Sequence, residues 1–306
     1  MNDLVPAHKF QRAVTLGNAS LEFVQTQTIG ITVDSVHRYR RNLEEFVLYT
    51  SRKGLSPKSV MGYALHLQGK GMSPNRIQET LRTIKRFLTW CFQMGYSTER
   101  WHEYVPRIRG TPPKEPKIIG HEEYLKMRSM CETPEQDWLI VCGFSTGFRM
   151  GDCCNLKWDR VDQEQMVVAP LLGKTRQSTG ASAKIPYNPG GDMHLKLTEL
   201  WADRPQDEEY VCPLMAESYY CNRKAVAQSM RRVFDWAGIR DRSFKHFRCT
   251  FESRLANSGM NIGLAAKITG RSDTRSLLRY IVPDMDAARE GVTKALELHH
   301  TNKMFA

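Results

Sequence analysis

Two cations stand one helical turn apart in the run Phe-Lys-His-Phe-Arg-Cys-Thr-Phe-Glu-Ser, at Lys245 and Arg248. Phe247, Phe251 and Leu255 recur every four positions around them, the spacing of a helix with one buried stripe, so both cations fall on another face. That face meets either water or an anion. Arg149 and Asp152, in Ser-Thr-Gly-Phe-Arg-Met-Gly-Asp, make a second pair one turn apart, where the carboxylate is placed to hold the guanidinium. The pair reads as an ordinary surface ion pair or as the support of an arginine that grips something else. Lys174 lies near the start of a polar loop, Gly173–Ser182, between two short apolar runs. The stretch that Lys245 opens closes on Thr-Gly-Arg-Ser-Asp, with Arg271, and on Leu-Leu-Arg-Tyr, with Tyr280. Arginine presents a planar donor fork that matches phosphate oxygens and lysine a point charge, so these residue types suit phosphate chemistry.

Positioning such a set takes two domains. Val36, Tyr39, Leu43, Phe46 and Val47 repeat at three and four residues up to Gly54; Ser56-Pro57 and Ser73-Pro74 then start two further helices with a capping residue and a proline at the first helical position. Their buried faces are Val60, Tyr63, Ala64, Leu67 and Ile77, Leu81, Ile84, Leu88, Cys91. Arg38, Arg40 and Arg41 on the first of these helices, and Arg82, Lys85 and Arg86 on the last, lie mostly off the apolar stripes and are the candidate DNA-contacting residues. Residues 1–28 read as a tail or arm with a helical patch near Leu21, Phe23 and Val24, and 29–105 as the bundle. Residues 106–118, with four prolines among residues 106–117, read as a stiff basic linker. From 119 to 306 the pattern is mixed: helices near 121–130 and 135–144, short strands at Met166–Val168 and Lys184–Tyr187, a helix at 217–236, the stretch described above, and an amphipathic tail at 287–300.

The whole chain has 306 residues, 44 Lys/Arg against 33 Asp/Glu, and a pI near 9.3, a balance that favours nucleic acid as partner. Residues 1–111 hold sixteen of the basic residues and only eight acids. No run of about 18 apolar residues occurs, so no membrane span is expected. None of the eight cysteines is spaced Cys-x-x-Cys; they read as small core residues in a reducing compartment, and no metal site is expected.

Arginine in a Thr-Gly-x-Arg-x-x-Asp turn, a hairpin lysine, a basic residue three before an arginine, and a tyrosine ten after the glycine of Gly-x-Ser: in this order the chain resembles the tyrosine recombinases, the phage integrase family, over about residues 31–295. The resemblance implies a mainly α fold: an N-terminal helical bundle of the core-binding, SAM-like kind, and a mixed, mostly helical catalytic domain with a small β-sheet, without an obvious arm-binding domain. Carried over by position, Arg149 and Arg248 match the family's two catalytic arginines and Lys174 its hairpin lysine. Lys245 stands where the family has His or Lys, Arg271 where it has His or Trp, and Tyr280 at the nucleophile. Asp152 matches the acid that supports the first arginine. Two positions depart from the pattern: Cys249 stands where His is most frequent, and Arg271 brings a full cation in place of a ring.

Attack of a hydroxyl on a phosphodiester builds charge on two non-bridging oxygens, which two arginine forks can neutralise without a metal ion. A phenol with a pKa of about 10 is a weak nucleophile that neighbouring cations bring toward phenolate. The resemblance implies a 3′-phosphotyrosyl link through Tyr280, a free 5′-hydroxyl protonated by Lys174, no cofactor, and no ATP. It implies as partners a double-stranded DNA site with inverted repeats and a homo-tetramer on two such sites, working on the nucleoid in the cytoplasm. Two other readings share the fold: a type IB topoisomerase that reseals the same strand, and a DNA-binding regulator that has lost catalysis. The tail at 287–300 packs either on its own domain or on a neighbour.

Overall fold

Two helices of the N-terminal half begin at Ser-Pro pairs because the serine side chain accepts an orphan N–H and the proline lacks one to satisfy. The computed structural model describes residues 15–112, 115–171, 183–271, 273–286 and 288–293. The chain divides into two compact units, Met1–Pro113 and Lys114–Ala306. In the first, α1 (Leu16–Gln27), α2 (Val33–Lys53), α3 (Pro57–Gly69) and α4 (Pro74–Gln93) form a bundle. Ser56 Oγ accepts the Ser59 N–H at 3.1 Å and Ser59 Oγ the Ser56 N–H at 2.9 Å, a reciprocal cap on α3. Leu43, Phe46, Tyr63, Leu67, Ile84 and Phe87 fill the core.

The sequence starts this bundle at residue 29; the structure carries it back to Leu16. Phe23 is fully buried in the same core, edge-on to Phe87 and Trp90 with ring centroids 5.4 and 5.5 Å apart. A ring of that size leaves water only by packing on its neighbours, so α1 is a member of the bundle and not an arm. Part of the proline-rich stretch is bound as well. Gln78 donates to the Ile108 carbonyl at 3.1 Å, and Asn75 grips Thr111 through both ends of its amide, at 2.8 Å to the hydroxyl and 3.1 Å from the N–H.

In the second unit the helices are α5 (His121–Ser129), α6 (Pro134–Thr146), α7 (Met150–Cys154), α8 (Asp192–Ala202), α9 (Pro213–Cys221), α10 (Arg223–Trp236), α11 (Lys245–Asn257), α12 (Ile262–Ile268) and α13 (Thr274–Leu278). Three short strands, β1 (Val161–Asp162), β2 (Val167–Val168) and β3 (Ile185–Pro186), pair antiparallel in that order, with Val168 opposite Val161 and Ile185. The fold class is the one expected, mainly helical with a small sheet. Five successive residues of α6, Trp138 to Cys142, have no exposed surface, so this helix is covered on every side and the domain is built around it.

Two glycines on α6 let α11 approach closely. A Cβ on Gly143 would lie 2.8 Å from the Phe247 ring, and one on Gly147 would lie 2.9 Å from Phe251 Cβ. Gly147 also ends α6 in the left-handed conformation at φ 64°. The expected single helix at 217–236 is two: Asn222 leaves helical geometry and its side chain accepts the N–H groups of Lys224 and Ala225, which begins a new helix. The inward face of α10 is Val226, Met230, Val233 and Phe234, while Ala225 is exposed. The helix α8 has no counterpart in the sequence reading. Of the tail at 287–300, residues 288–293 are described, and they are exposed. The eight cysteines are free and six are buried. Among the described residues no helix is long and apolar enough to cross a membrane, and no group of His, Cys, Asp and Glu is arranged to hold a metal ion.

Candidate active site

The close crossing of α6 and α11 sets the first arginine beside the second. Gly147 turns the chain out of α6 so that Arg149 becomes the residue preceding α7, while Arg248 lies in the first turn of α11 and reaches back to accept no charge but to donate, at 3.4 Å, to the Gly147 carbonyl. Its other terminal nitrogen donates to the Thr269 carbonyl at 3.2 Å, just past α12, where helix-end carbonyls concentrate partial negative charge. Arg248 is 8% exposed, and burial pushes its guanidinium down to about 10 against the pull of Glu252, which leaves it charged at neutral pH.

Arg149, Lys245, Arg248, Arg271 and Tyr280 all line one cavity of about 510 Å³ within the second unit; Tyr219, Met230 and Phe234 line it as well. Arg149 Nη1 lies 3.8 Å from Asp152 Oδ2, a loose ion pair in which the acid is buried and the arginine partly exposed. Lys245 is exposed at the first position of α11. His246, next to it, does not line this cavity: its Nδ1 turns back to accept the Ser243 N–H at 2.8 Å. Lys174 falls outside the described residues.

Residues that the sequence reading passed over hold this set in place. Glu252, with no exposed surface, meets Arg271 as a bidentate partner, 2.9 Å from Nε to Oε1 and 2.7 Å from Nη2 to Oε2. The same Oε1 lies 2.9 Å from Arg248 Nε, an ion pair without hydrogen-bond alignment. Burial works against the charge on Arg271, but the hydrogen bonds and charge of Glu252 outweigh it and raise its pKa. Gly270, at φ 64°, ends α12 and sets where Arg271 leaves the helix, with the Arg271 N–H bonded to the Ala266 carbonyl at 2.9 Å. The guanidinium of Arg271 then sits 4.4 Å from the centre of the Tyr280 ring. Ser253 fixes the tyrosine backbone from the other side, donating to the Tyr280 carbonyl at 3.0 Å and accepting the Val282 N–H at 2.9 Å, and Asn257 donates to the Val282 carbonyl at 3.0 Å. The tyrosine is thereby docked on α11 of its own chain.

Residues 117–286, more than half of the chain, match the sequence pattern of the phage integrase family. The chain belongs to the phage integrase family. It is 24% identical over 280 residues to the tyrosine recombinase XerA of Thermococcus onnurineus (strain NA1), covering 83% of this chain and 94% of that one. Over 185 residues it is 22% identical to the integrase of Salmonella phage P22, covering 58% and 46% of the two chains. Among solved structures, the Tn1549 transposon integrase in complex with a circular intermediate DNA superposes with a TM-score of 0.68 at 16% identity, over 92% of this chain and 99% of that one. A lambda integrase tetramer bound to a Holliday junction gives 0.67 at 14% identity, over 89% and 78%. At these identities the likeness speaks for the fold.

In this integrase-family chain the six basic candidates of the bundle stand apart from the cavity in character. Arg38, Arg40, Arg41, Arg82, Lys85 and Arg86 are all exposed. Arg38 pairs with Glu79 at 2.8 Å, and Arg86 donates to the Tyr39 hydroxyl at 3.1 Å and reaches the Gln27 carbonyl at 3.5 Å. Arg82, Lys85 and Arg86 border one shallow groove of about 390 Å³ beside α1.

Proposed function

We propose that this chain is a site-specific DNA recombinase that cleaves and rejoins strands through a 3′-phosphotyrosyl link to Tyr280. The observation that supports this best is the meeting of Arg149, Lys245, Arg248, Arg271 and Tyr280 in a single cavity. The phenolic oxygen attacks the phosphorus, the bond from phosphorus to the 5′-oxygen breaks, and the leaving 5′-oxygen takes a proton, for which Lys174 is the proposed donor. Arg149 and Arg248 would hold the non-bridging oxygens as charge develops on them, with Lys245 beside them and Asp152 supporting Arg149. Return of a 5′-hydroxyl from a second strand reverses the step, so the bond energy is retained and neither ATP nor a metal ion enters the balance.

The bundle of the first unit would be the core-binding domain, its Arg38, Arg40, Arg41, Arg82, Lys85 and Arg86 lying along DNA phosphates, with residues 106–118 passing to the catalytic domain that begins near 119. The circular intermediate DNA of the Tn1549 integrase and the Holliday junction held by the lambda integrase tetramer support DNA as the partner and a tetramer as the assembly; the proposal adds a double-stranded site with inverted repeats and a tetramer on two such sites. Nicked duplexes cut from the DNA flanking the gene test the reading. Wild-type chain should leave a denaturation-resistant adduct on one of them, and Tyr280→Phe should leave none while still shifting the duplex in a gel. An adduct that persists in Tyr280→Phe would remove Tyr280 from the role.

A further inference from the structure

A carboxylate with no exposed surface that touches two arginines of the cavity is costly to place there unless it does something a neutral side chain does not. We infer that Glu252 is a positioning residue for strand cleavage: its carboxylate clamps Arg271 in a fixed orientation against Tyr280 and ties that arginine to Arg248, so that the two guanidiniums and the phenol meet the phosphate as one preset unit. The inference rests on the cleavage reading above and extends it to a residue and a coupling that reading does not include.

The geometry carries it in three steps. Glu252 stands four residues after Arg248 on α11, so both leave the helix on one face, and Oε1 is 2.9 Å from Arg248 Nε. Arg271 arrives from the end of α12 and takes both oxygens, at 2.9 and 2.7 Å, the fork-to-fork contact that fixes a guanidinium plane. That plane is the one found 4.4 Å from the Tyr280 ring, and Arg248, Arg271 and Tyr280 line the same cavity. Nε and Nη2 of Arg271 are held by the clamp, and the same guanidinium also engages the Tyr280 side chain. A lysine at 271 could not do both, because it has no second edge. Glu252 also brings the three buried charges to a net of one positive, which lowers the repulsion between two arginines held by the same wall.

The near-isosteric Glu252→Gln separates positioning from folding. On a nicked duplex that wild-type chain cleaves, and at a temperature where the variant is fully folded, single-turnover adduct formation should fall about a hundredfold, the size of effect seen when an oriented transition-state donor is lost, while affinity for the uncut duplex stays near wild type; the melting temperature falls, because two buried arginines lose their carboxylate. Arg271→Gln should lose rate to the same extent, and the double variant Glu252→Gln, Arg271→Gln should be no slower than either alone, because both changes break one coupled unit. A Glu252→Gln chain that cleaves within threefold of wild type overturns the inference, as do losses that multiply in the double variant. If Glu252→Gln does not fold, Arg271→Gln decides: with Glu252 still paired to Arg248, a rate within threefold of wild type overturns the clamp, and a selective loss of cleavage at unchanged affinity supports it. A wild-type chain that forms no adduct on any flanking duplex overturns the cleavage reading and this inference with it, whereas an active wild type with an equally active Glu252→Gln overturns this inference alone.

Discussion

The two units of this chain use positive charge in opposite ways. In the bundle, Arg40, Arg41, Arg82 and Lys85 stand exposed on helices whose other faces are packed, and where a cation there has a partner, as Arg38 has Glu79, the pair stays in contact with water. In the second unit Arg248 and Arg271 are drawn inside, at 9% and 11% side-chain exposure, around a carboxylate that has none. An exposed cation costs little and can follow a phosphate backbone in many geometries, which gives affinity with strong salt dependence. A buried one has lost its water and is held by neighbours, so its direction is fixed before any ligand arrives. Under the function proposed above, the difference separates holding DNA from acting on one phosphate.

The sharpest way to break that comparison is to ask for geometry where only charge should matter, and the reverse. Arg248→Lys keeps the charge and loses the fork; cleavage should drop by about 10³-fold, close to the loss in Arg248→Ala, with duplex affinity changed little. Arg82→Lys in the bundle should be nearly silent in both gel-shift and adduct assays. If Arg248→Lys cleaves at the wild-type rate, burial at that position does not serve orientation. Arg248→Ala should also lower stability by about 3–5 kcal/mol in a denaturant titration, since Glu252 is left with Arg271 alone.

How much of this was legible in the sequence follows from how local each signal is. Ser56-Pro57 and Ser73-Pro74 announce helix starts through contacts within four residues, so α3 and α4 begin where the sequence puts them. Arg149, Arg248, Lys245, Arg271 and Tyr280 could be found by order and spacing. Glu252 could not: it stands beside Phe251, off the four-residue repeat of Phe247, Phe251 and Leu255, where a carboxylate reads as solvent-facing, and its burial depends on Arg271, nineteen residues on. The sign that was available is its place four residues after Arg248. The role of Gly143 was equally hidden, because the rings it admits, Phe244 and Phe247, come from the start of α11, about a hundred residues later. The break at Asn222 was a local signal overlooked, an asparagine ahead of a helical run.

The extent of the bundle is the next point to test. If α1 belongs to its core, Phe23→Ala should cost about 3–5 kcal/mol in a denaturant titration of the whole chain, with the transition assigned to the bundle by tryptophan fluorescence from Trp90, which touches Phe23. A removable arm would give less than about 0.5 kcal/mol, as expected of a surface change. A smaller effect is expected from Arg82→Ala with Lys85→Ala, which should weaken duplex binding about tenfold and reduce the slope of log affinity against log salt by about 1.8, the value for two lost phosphate contacts. An unchanged slope would mean that this face meets water only.

The smallest effect expected lies where bundle and linker adjoin. Gly110 passes so near α4 that a Cβ there would sit 2.5 Å from Asn75 Oδ1, the oxygen that accepts the Thr111 N–H. Gly110→Ala must push that amide aside, and because a side chain moves more readily than backbone the loss should be about 1 kcal/mol, the net worth of a hydrogen bond or two. Asn75→Ala should cost a similar amount, and the double variant little more, since both remove the same contact. Faster amide exchange at Thr111 in either variant, with α4 protected as before, would show that the attachment of residues 108–111 is a local feature of the bundle surface. Equal exchange in all three chains would mean that residues 108–111 are held by Ile108 and Gln78 instead.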